Sequence, residues 1–319
     1  MMKDKPSLIG SSGDSMRESF GKEITKLAKI KKNVVLLDAD INGGTGAHHF
    51  LKKYPSRFFQ FGIAEQNMMS VASGMSTEGL IPVVTGFAVF LLRAFEQARL
   101  SIGYSNRNVK IVASHPGLDV GPDGGSAQCL EDLSAFRSIP NFVVLSPADQ
   151  TEMEYAVKQM INHEGPVYMR TGRSPAKRVL KSKRFKKFKG QILREGHDLS
   201  IIACGVQVSR ALEAAEMLSA SNISARVVNM STIKPIDKDL VVDCSKKTGC
   251  IVTSEDHSIY GGLGSAVSEV VSLNYPCRIV FNGVKDTFGE SGEPDELAKK
   301  YGISSDGLVK DCLRALKNK

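Results

Sequence analysis

The residues best placed for chemistry stand in one stretch, 58–75, whose centre is Glu65. Aromatic residues of strand character, 58–61, stop at Gly62. Apolar residues then recur at the spacing of one helical face: Ala64, Met68, Val71, Ala72 and Met75. The pattern predicts a strand, a tight turn and a helix with Glu65 in its first turn, where a carboxylate also suits the helix dipole. The small apolar neighbours predict burial, and a buried carboxyl group is held protonated or hydrogen-bonded to a specific partner.

Further candidate residues follow other predicted strands. Phe87 and Phe90 follow an apolar run at 81–85, and His115 ends a run at 109–113, with Asp123 in the loop beyond. A histidine and an aspartate at the mouth of a sheet can hydrogen-bond sugar hydroxyls and shuttle protons. Taken singly, the phenylalanines would be ordinary core residues and Asp123 an exposed loop residue.

Asp40 lies in the loop 38–46, which is too rich in glycine to be predicted as helix. The loop follows a short apolar run of the kind that forms a buried parallel strand. Ligands in open α/β sheets bind outside the carboxyl ends of strands, so the loop is a candidate wall of the site. A plain flexible turn is the alternative.

Several motifs in one order give the sequence a family resemblance. They are 61–67 (FGIAEQN), 85–90 (TGFAVF), His115 with Asp123, 255–257 (EDH) and 260–264 (YGGLG). Together they resemble the pyrimidine-binding and C-terminal domains of a transketolase over nearly the whole chain. The resemblance implies thiamine diphosphate as cofactor, with a ring nitrogen of its aminopyrimidine hydrogen-bonded by Glu65. It also implies that Phe87 and Phe90 enclose that ring and that Asp40 lies near the cofactor.

The resemblance also implies the substrate contacts. It places His115 near the thiazolium, Asp123 at a substrate hydroxyl, and Arg17 and Arg170 at the sugar phosphate, a role that suits the planar fork of a guanidinium. Where some transketolases have a tyrosine, this chain has Arg93, which is more similar to the deoxyxylulose phosphate synthases and is expected to contact the cofactor.

One part of the family pattern is missing. Full-length transketolases hold the diphosphate group and its metal through a Gly-Asp-Gly motif that ends in Asn-Asn, and neither occurs in this sequence. The chain therefore resembles the C-terminal (β) subunit of a split transketolase. We expect an N-terminal partner subunit that shares the cofactor and holds Mg²⁺ or Ca²⁺, activity only with that partner, and an α2β2 complex built on an isologous contact between like chains.

Some positions depart from the family. Many members have histidine where this chain has Ala127 and glutamate where it has Pro122, and a phosphate-contacting serine is replaced by the segment 43–45 (GGT). We expect transfer of a two-carbon ketol unit from a ketose phosphate to an aldose phosphate, and the two sugars stay open. The alternatives are a subunit similar to 1-deoxyxylulose-5-phosphate synthase or to the 2-oxoacid dehydrogenase E1 β chain, and a non-catalytic scaffold.

Length and pattern predict two domains. The chain has 319 residues, of which 42% are hydrophobic and 24% charged, enough for two packed cores. Strands and helices alternate, so we predict an α/β protein in which each domain is a mostly parallel sheet covered by helices. The predicted ranges are a pyrimidine-binding domain at 1–180, a basic linker at 181–195 and a transketolase C-terminal domain at 196–319.

Charge and cysteine content narrow the function classes. Much of the net charge of +8 comes from the basic run 181–189, which has no nucleic-acid motif near it, so a solvated linker is favoured over nucleic-acid binding. No apolar run reaches the roughly 20 residues of a membrane span, and no signal peptide is evident. The six cysteines form no Cys-x-x-Cys pair. We expect a cytoplasmic protein with reduced, mostly buried thiols.

Local signals also predict individual helices. Ser15 and Glu18 have the form of a capping box for a helix at 15–31, and residues 146–147 (SP) predict a cap followed by a proline at the first helical position. A further helix is expected after Phe90. The segment 261–264 (GGLG) lacks the third glycine of a dinucleotide fingerprint and is interpreted as the start of a helix.

Overall fold

The described part of the protein has two mostly parallel sheets with flanking helices and one small antiparallel sheet of two strands, the first and the eighth. The two large sheets confirm the predicted fold class. The structure is a computed structural model that describes residues 9–180 and 185–317. The strands of the first part are β1 Ile9–Ser15, β2 Val34–Asp38, β3 Phe58–Gln60, β4 Ile81–Phe87, β5 Lys110–Ser114, β6 Val143–Leu145, β7 Val167–Thr171 and β8 Pro175–Arg178. Those of the second part are β9 Gln191–Arg194, β10 Leu199–Ala203, β11 Ala225–Asn229, β12 Thr232–Lys234, β13 Cys250–Ser258 and β14 Arg278–Val284.

Helices connect these strands in both parts. Those of the first part are α1 Met16–Leu27, α2 Asn42–Thr45, α3 His48–Lys53, α4 Glu65–Thr77, α5 Ala88–Leu91, α6 Phe95–Gln97, α7 Asp132–Ser138 and α8 Gln150–Asn162. Those of the second part are α9 Gln207–Ser219, α10 Lys238–Thr248, α11 Leu263–Asn274, α12 Pro294–Lys300 and α13 Ser305–Lys317. Short 3₁₀ turns span Pro55–Arg57, Leu92–Ala94 and Leu118–Asp123, and a π-helix spans Ala98–Tyr104.

The first sheet has seven strands in the order β12-β6-β7-β5-β4-β2-β3. All neighbours are parallel except β12, which comes from the second part of the chain and pairs antiparallel with β6. Strands β2, β5 and β7 are buried along their whole length, as expected for a parallel sheet covered on both faces. The second part of the chain thus supplies an edge strand, β12, to the sheet of the first part.

The second sheet has five strands in the order β14-β13-β10-β11-β9, with β9 as its antiparallel edge. Strand β9 lies inside the predicted linker 181–195, so that stretch is not all irregular. The preceding residues also pack against the first part, because the Phe185 ring stacks on Tyr155 with centroids 4.8 Å apart. Lys181, Lys183 and Arg184 of the predicted basic run lie outside the described residues.

Three local predictions need correction. Ser15 precedes α1 without a side-chain capping bond, and the Glu18 carboxylate contacts Nε2 of His49 at 2.7 Å, so no capping box forms. The loop 38–46 contains the one-turn helix α2. Helix α8 begins at Gln150 with Asp149 as its N-cap, which accepts from the backbone N–H of Glu152, rather than at the Ser-Pro pair.

The segment after Phe90 is helical but broken. Helices α5 and α6, a 3₁₀ turn and the π-helix succeed one another instead of forming one regular helix. Leu91, Ala98 and Ile102 are nevertheless fully buried, so the apolar face that predicted the helix does face the core.

Two expectations about the chain as a whole can be compared with the structure. Within the described ranges, none of the helices is long and apolar enough to cross a membrane. All six cysteines are free thiols, and five of them are buried.

The contact between α1 and the segment after α2 depends on a glycine. A Cβ built on Gly21 would lie 2.0 Å from the carbonyl oxygen of Gly46, whereas a Cβ on Gly74, at an exposed position of helix α4, would meet no atom within 4 Å. We predict that Gly21→Ala destabilises the isolated chain by about 1–3 kcal/mol through overpacking. The matched Gly74→Ala variant should gain about 0.5–1 kcal/mol because alanine restricts the unfolded chain. Urea unfolding measures both, and equal stabilities would contradict the close contact.

Candidate active site

The candidate residues gather at the carboxyl ends of neighbouring strands in the first sheet. Strands β3, β2, β4 and β5 lie side by side in the sheet, and all run parallel. Asp38 ends β2, Phe87 ends β4, and His115 follows β5. Glu65 starts the helix that follows edge strand β3. The sheet topology therefore brings side chains from distant parts of the sequence to one edge.

Glu65 is buried, as the sequence predicted. The residue is 4% exposed and is the first residue of α4. Its Oε2 atom lies 3.5 Å from Nη1 of Arg93, a loose ion pair whose arginine side chain is 59% exposed. Among the described residues, no donor makes a hydrogen bond to Oε2. A buried carboxylate oxygen without a donor is costly, so this atom is available for a ligand group.

His115 lies at one end of an aromatic stack whose middle ring is Phe87. Its backbone has φ +58°, an unusual conformation for a residue with a side chain, and its ring lies face to face with Phe87 at a centroid distance of 3.6 Å. Phe90 continues the stack, with its ring nearly parallel to Phe87 at 5.6 Å. His115, which the sequence predicted as a site residue, thus combines an unusual backbone conformation with a buried imidazole.

Hydrogen bonds assign the tautomer of His115. Nη1 of Arg17 donates toward Nε2 at 3.5 Å, so Nε2 is the unprotonated nitrogen. Nδ1 then donates to Oγ of Ser114 at 2.7 Å, and that hydroxyl donates to the carbonyl oxygen of Gly44 at 3.1 Å. Arg17 also donates to the same carbonyl at 3.2 Å. Gly44 is thus the shared acceptor that links the 42–46 segment to β5.

Burial and then the positive charges of Arg17 and Arg173 lower the pKa of His115 to about 3. The imidazole is therefore neutral at pH 7 and can accept a proton or a hydrogen bond. Arg173 was not predicted from the sequence. Its backbone N–H donates to Asp119, and among the described residues its half-buried guanidinium has no partner. A free guanidinium beside His115 is suited to an anionic ligand.

The loop after β2 is held by buried polar groups that the sequence analysis missed. Asp38 is fully buried and accepts from Oγ1 of Thr85 at 2.9 Å and from the backbone N–H of Ile41 at 2.8 Å. Burial raises the pKa of Asp38, and these hydrogen bonds oppose that rise. The backbone N–H of Asp40 donates to Oε1 of Gln60 at 2.8 Å, which leaves the exposed Asp40 side chain at the loop surface with φ +61°. Asp38 could have been predicted as a site residue, because it is a polar residue at the end of an apolar strand.

Arg170 is placed differently from the prediction. Its side chain is 6% exposed and forms a two-pronged ion pair with the fully buried Asp132, with Nε 2.8 Å from Oδ2. Nη1 donates to the carbonyl oxygen of Asp256 at 3.0 Å. Burial alone would raise the pKa of Asp132, but Arg170 outweighs burial and holds this pKa below its usual range. The guanidinium of Arg170 is thus occupied by contacts within the protein, and its predicted contact with a sugar phosphate stays a prediction.

Asp123 is not brought into the cluster by any contact within the described part of the chain. It is exposed at the end of the 3₁₀ turn Leu118–Asp123, whose glycine neighbours lie against the second domain. A Cβ on Gly121 would lie 3.1 Å from Pro294, and one on Gly124 would lie 2.4 Å from Oγ of Ser291. The role of Asp123 stays a prediction.

Comparison with known proteins identifies the family. The profile described as the transketolase pyrimidine-binding domain matches residues 12–177, and that of the transketolase C-terminal domain matches residues 188–308. The chain belongs to the transketolase family. A protein of Methanocaldococcus jannaschii, provisionally named a transketolase C-terminal section, is 41% identical over 95% of this chain and 96% of its own length. The 6-deoxy-6-sulfo-D-fructose transketolase subunit of a Clostridium species is 38% identical over 92% of both chains.

Solved transketolase structures agree with this assignment. A protein described as a split-gene transketolase in an inactive β4 tetramer is 46% identical, with TM-score 0.89 over 96% of this chain and 99% of that one. Rat transketolase is 38% identical over 92% of this chain but only 48% of its own length. The transketolase of Campylobacter jejuni, at 23% identity and TM-score 0.81, shares the fold. The chain thus corresponds to the C-terminal half of full-length transketolase and to nearly the whole length of the split-gene chain.

The described residues fit the pyrimidine end of thiamine diphosphate, the cofactor that the family implies. The unsatisfied oxygen of Glu65 can accept from or, when protonated, donate to a ring nitrogen. The faces of Phe87 and Phe90 offer apolar surface for a flat ring. The Gly-Asp-Gly and Asn-Asn motifs, which hold the diphosphate and its metal in full-length transketolases, do not occur in this sequence.

The lowered pKa of His115 predicts a pH dependence of stability. Its pKa is about 3 when folded and 6.5 ordinarily, so below pH 6.5 the unfolded state binds the proton more tightly and folding stability falls toward pH 3. His115→Asn removes this titration, and asparagine tolerates positive φ. We expect the variant to lose less stability between pH 6 and 4, by up to about 1.4 kcal/mol per pH unit. Urea unfolding of both proteins across that range gives the slopes, and identical slopes would show that His115 titrates normally.

Proposed function

We propose that this chain is the β subunit of a thiamine-diphosphate-dependent split transketolase and transfers a two-carbon ketol unit between phosphorylated sugars. The carrying observation is the buried oxygen of Glu65, which has no hydrogen-bond donor among the described residues. This unsatisfied atom lies at the sheet edge where the family binds the aminopyrimidine. When bound, thiamine diphosphate supplies the carbon nucleophile and electron sink for cleavage between C2 and C3 of the ketose.

Each candidate site residue has a separate role in the proposed reaction. Glu65 holds a proton at the ring nitrogen of the aminopyrimidine, with Arg93 beside it at 3.5 Å. Phe87 and Phe90 enclose the ring and keep water from it, and Asp40 lies at the loop that borders it. Because its pKa is low, His115 is neutral and can receive a proton from a substrate hydroxyl near the thiazolium.

The anionic end of the sugar is assigned to Arg17 and Arg173, whose charges both reach His115. Asp123 is proposed for a sugar hydroxyl. A guanidinium fork binds phosphate and sulfonate oxygens alike. One relative is named for 6-deoxy-6-sulfo-D-fructose, so sulfonated and phosphorylated ketoses are both to be tested as donors.

A partner subunit completes the site. Glu65 lies beside edge strand β3, and Ile63 next to it is 77% exposed. Leu100 and Tyr104, on the π-helix that packs against α4, are 49% and 83% exposed. Exposed apolar side chains next to an incomplete site fit a subunit contact. The partner is proposed to hold the diphosphate with Mg²⁺ or Ca²⁺ in an α2β2 complex, and the relative crystallised as a β4 tetramer is described as inactive.

A 1-deoxyxylulose-5-phosphate synthase activity is the second candidate, since Arg93 contacts Glu65 and one such synthase is 35% identical over 97% of this chain. This chain spans only 50% of that relative. Pyruvate as donor would separate the two reactions, because a synthase releases carbon dioxide from it and a transketolase uses a ketose.

Reconstitution tests the proposed function. The purified chain alone should be inactive, and activity with ketose phosphate donors should appear on mixing with an N-terminal subunit that carries Gly-Asp-Gly and Asn-Asn. In the reconstituted complex, Glu65→Gln should slow exchange of the cofactor's C2 proton by about 10²- to 10⁴-fold, the usual size of an acid–base contribution. Exchange at the wild-type rate in that variant would remove Glu65 from the site, and turnover by the single chain would remove the need for a partner.

Substitutions of Arg173 and Arg170 should have different effects, the first on the KM and the second on stability. Arg173→Gln should raise the KM for anionic sugars while the unfolding free energy stays near that of the wild type, because its guanidinium has no partner within the described residues. Arg170→Gln should lower the unfolding free energy by about 3–5 kcal/mol, because Asp132 is then left as an unpaired buried charge. Steady-state kinetics and urea unfolding measure the two effects, and the reverse pattern would return the anion site to Arg170.

A further inference from the structure

Two histidines and a glutamate lie together on the surface, outside the site described above. His48 and His49 are the first two residues of α3, and Glu18 lies in the first turn of α1. One ligand atom from each of the three residues lies within 4.8 Å of the other two. The exposed fractions of their side chains are 42%, 29% and 30% in that order, so an ion from solvent can reach all three.

The geometry points to a binding site for a borderline divalent cation such as Zn²⁺, and we propose that Glu18, His48 and His49 are its ligands. Two imidazole nitrogens and one carboxylate oxygen are the ligand set of open, four-coordinate zinc sites, in which water fills the last position. Hard ions such as Mg²⁺ and Ca²⁺ prefer oxygen ligands and fit this set poorly.

Distances between the ligand atoms support this geometry. Nε2 of His49 lies 2.7 Å from Oε2 of Glu18, and Nε2 of His48 lies 4.0 Å from the same oxygen. Zinc ligands about 2.0–2.1 Å from the metal stand about 3.3 Å apart in a tetrahedron, midway between the two observed values. The imidazole rings already stack with centroids 4.1 Å apart. Small side-chain rotations therefore suffice to close the site.

The surroundings predict how tightly the ion is held. Histidine ligands usually donate their second ring nitrogen to an acceptor, which contributes about 10- to 100-fold in metal affinity. Nδ1 of His48 is buried and has no hydrogen-bond partner among the described residues. We therefore expect an exchangeable ion rather than a permanently held structural one.

Bound metal would connect α1 to α3 across the segment 42–46. Glu18 is adjacent to Arg17, whose Nη1 donates to Gly44 in that segment. Gly21 of α1 packs on both Gly46 and the His49 ring. The metal would therefore restrain the helix that carries Arg17, although it contacts none of the residues assigned to the reaction. The inference does not depend on the proposed function.

The test uses the full, untagged chain without any partner. Co²⁺ is titrated and its visible d–d absorption followed, then Zn²⁺ is added in competition and its affinity measured by calorimetry. We expect one equivalent per chain with tetrahedral Co²⁺ absorption, displacement by Zn²⁺, a rise in Tm with Zn²⁺, and no effect of Mg²⁺ or Ca²⁺. His48→Ala, His49→Ala and Glu18→Gln should each raise the Kd at least about 10-fold.

His197→Ala is the matched control. His197 is also an exposed histidine beside a carboxylate, 3.8 Å from Asp198, and it is not part of the cluster. This variant should bind Zn²⁺ as the wild type does. Circular dichroism without metal verifies that each variant is folded, as expected for partly exposed side chains.

Two results would overturn the proposal. One is absence of stoichiometric Co²⁺ or Zn²⁺ binding to the wild-type chain. The other is a Kd that does not change in His48→Ala, since a site without His48 would consist of only the Glu18–His49 pair.

Discussion

The buried ion pair between Arg170 and Asp132 constrains the rest of the structure. Asp132 is fully buried, and a charge in that position is tolerated only when it is paired and hydrogen-bonded. Arg170 meets both needs and extends to the carbonyl oxygen of Asp256 in the second domain. The carboxylate of Asp256 in turn accepts from the backbone N–H groups of Leu118 and Asp119, at 2.8 and 3.0 Å. Strand β7, helix α7, the turn after β5 and strand β13 are therefore fixed to one another, and the second domain is held against the first sheet.

The second domain packs against the first sheet on the β7 side, whereas β3 is the edge strand on the other side. Glu65 lies beside β3, and its buried Oε2 atom has no hydrogen-bond donor among the described residues. An unpaired carboxylate oxygen lowers the stability of the isolated chain. The loose contact with the mostly exposed Arg93 offsets little of that cost. This loss of stability in the free chain is thus located where we propose that the cofactor and a second subunit bind. Binding of a donor group there would stabilise the folded state as well as complete the site.

The sequence predicted what depends on short-range pattern. Apolar runs at 81–85 and 109–113 predicted strands β4 and β5 to within two residues, and helical spacing predicted Glu65 in the first turn of α4. The sequence-based predictions were wrong where a side chain is paired with a residue far away in the sequence. Glu18 could not be seen to prefer His49, 31 positions away, over the cap of its own helix. For the same reason the sequence did not show the ion pair of Arg170 with Asp132 or the pairing of β12 with β6. The order of the motifs predicted the candidate site, and only tertiary contacts show that Arg170 is already paired, which is why Arg173 is proposed in its place.

The electrostatics of the site follow from keeping His115 neutral beside two arginines. Burial and both positive charges disfavour the imidazolium, so His115 itself adds no positive charge beside Arg17 and Arg173. At the proposed anion site, a bound anion would offset the positive charges of Arg17 and Arg173. Because those charges are among the causes of the low pKa of His115, the proposed binding of the anionic end of a sugar would raise this pKa. The stack with Phe87 and the bond to Ser114 hold the ring in place while its basicity changes. In the proposed reaction, anion binding and proton acceptance would thereby be coupled through charge, without a movement of the backbone.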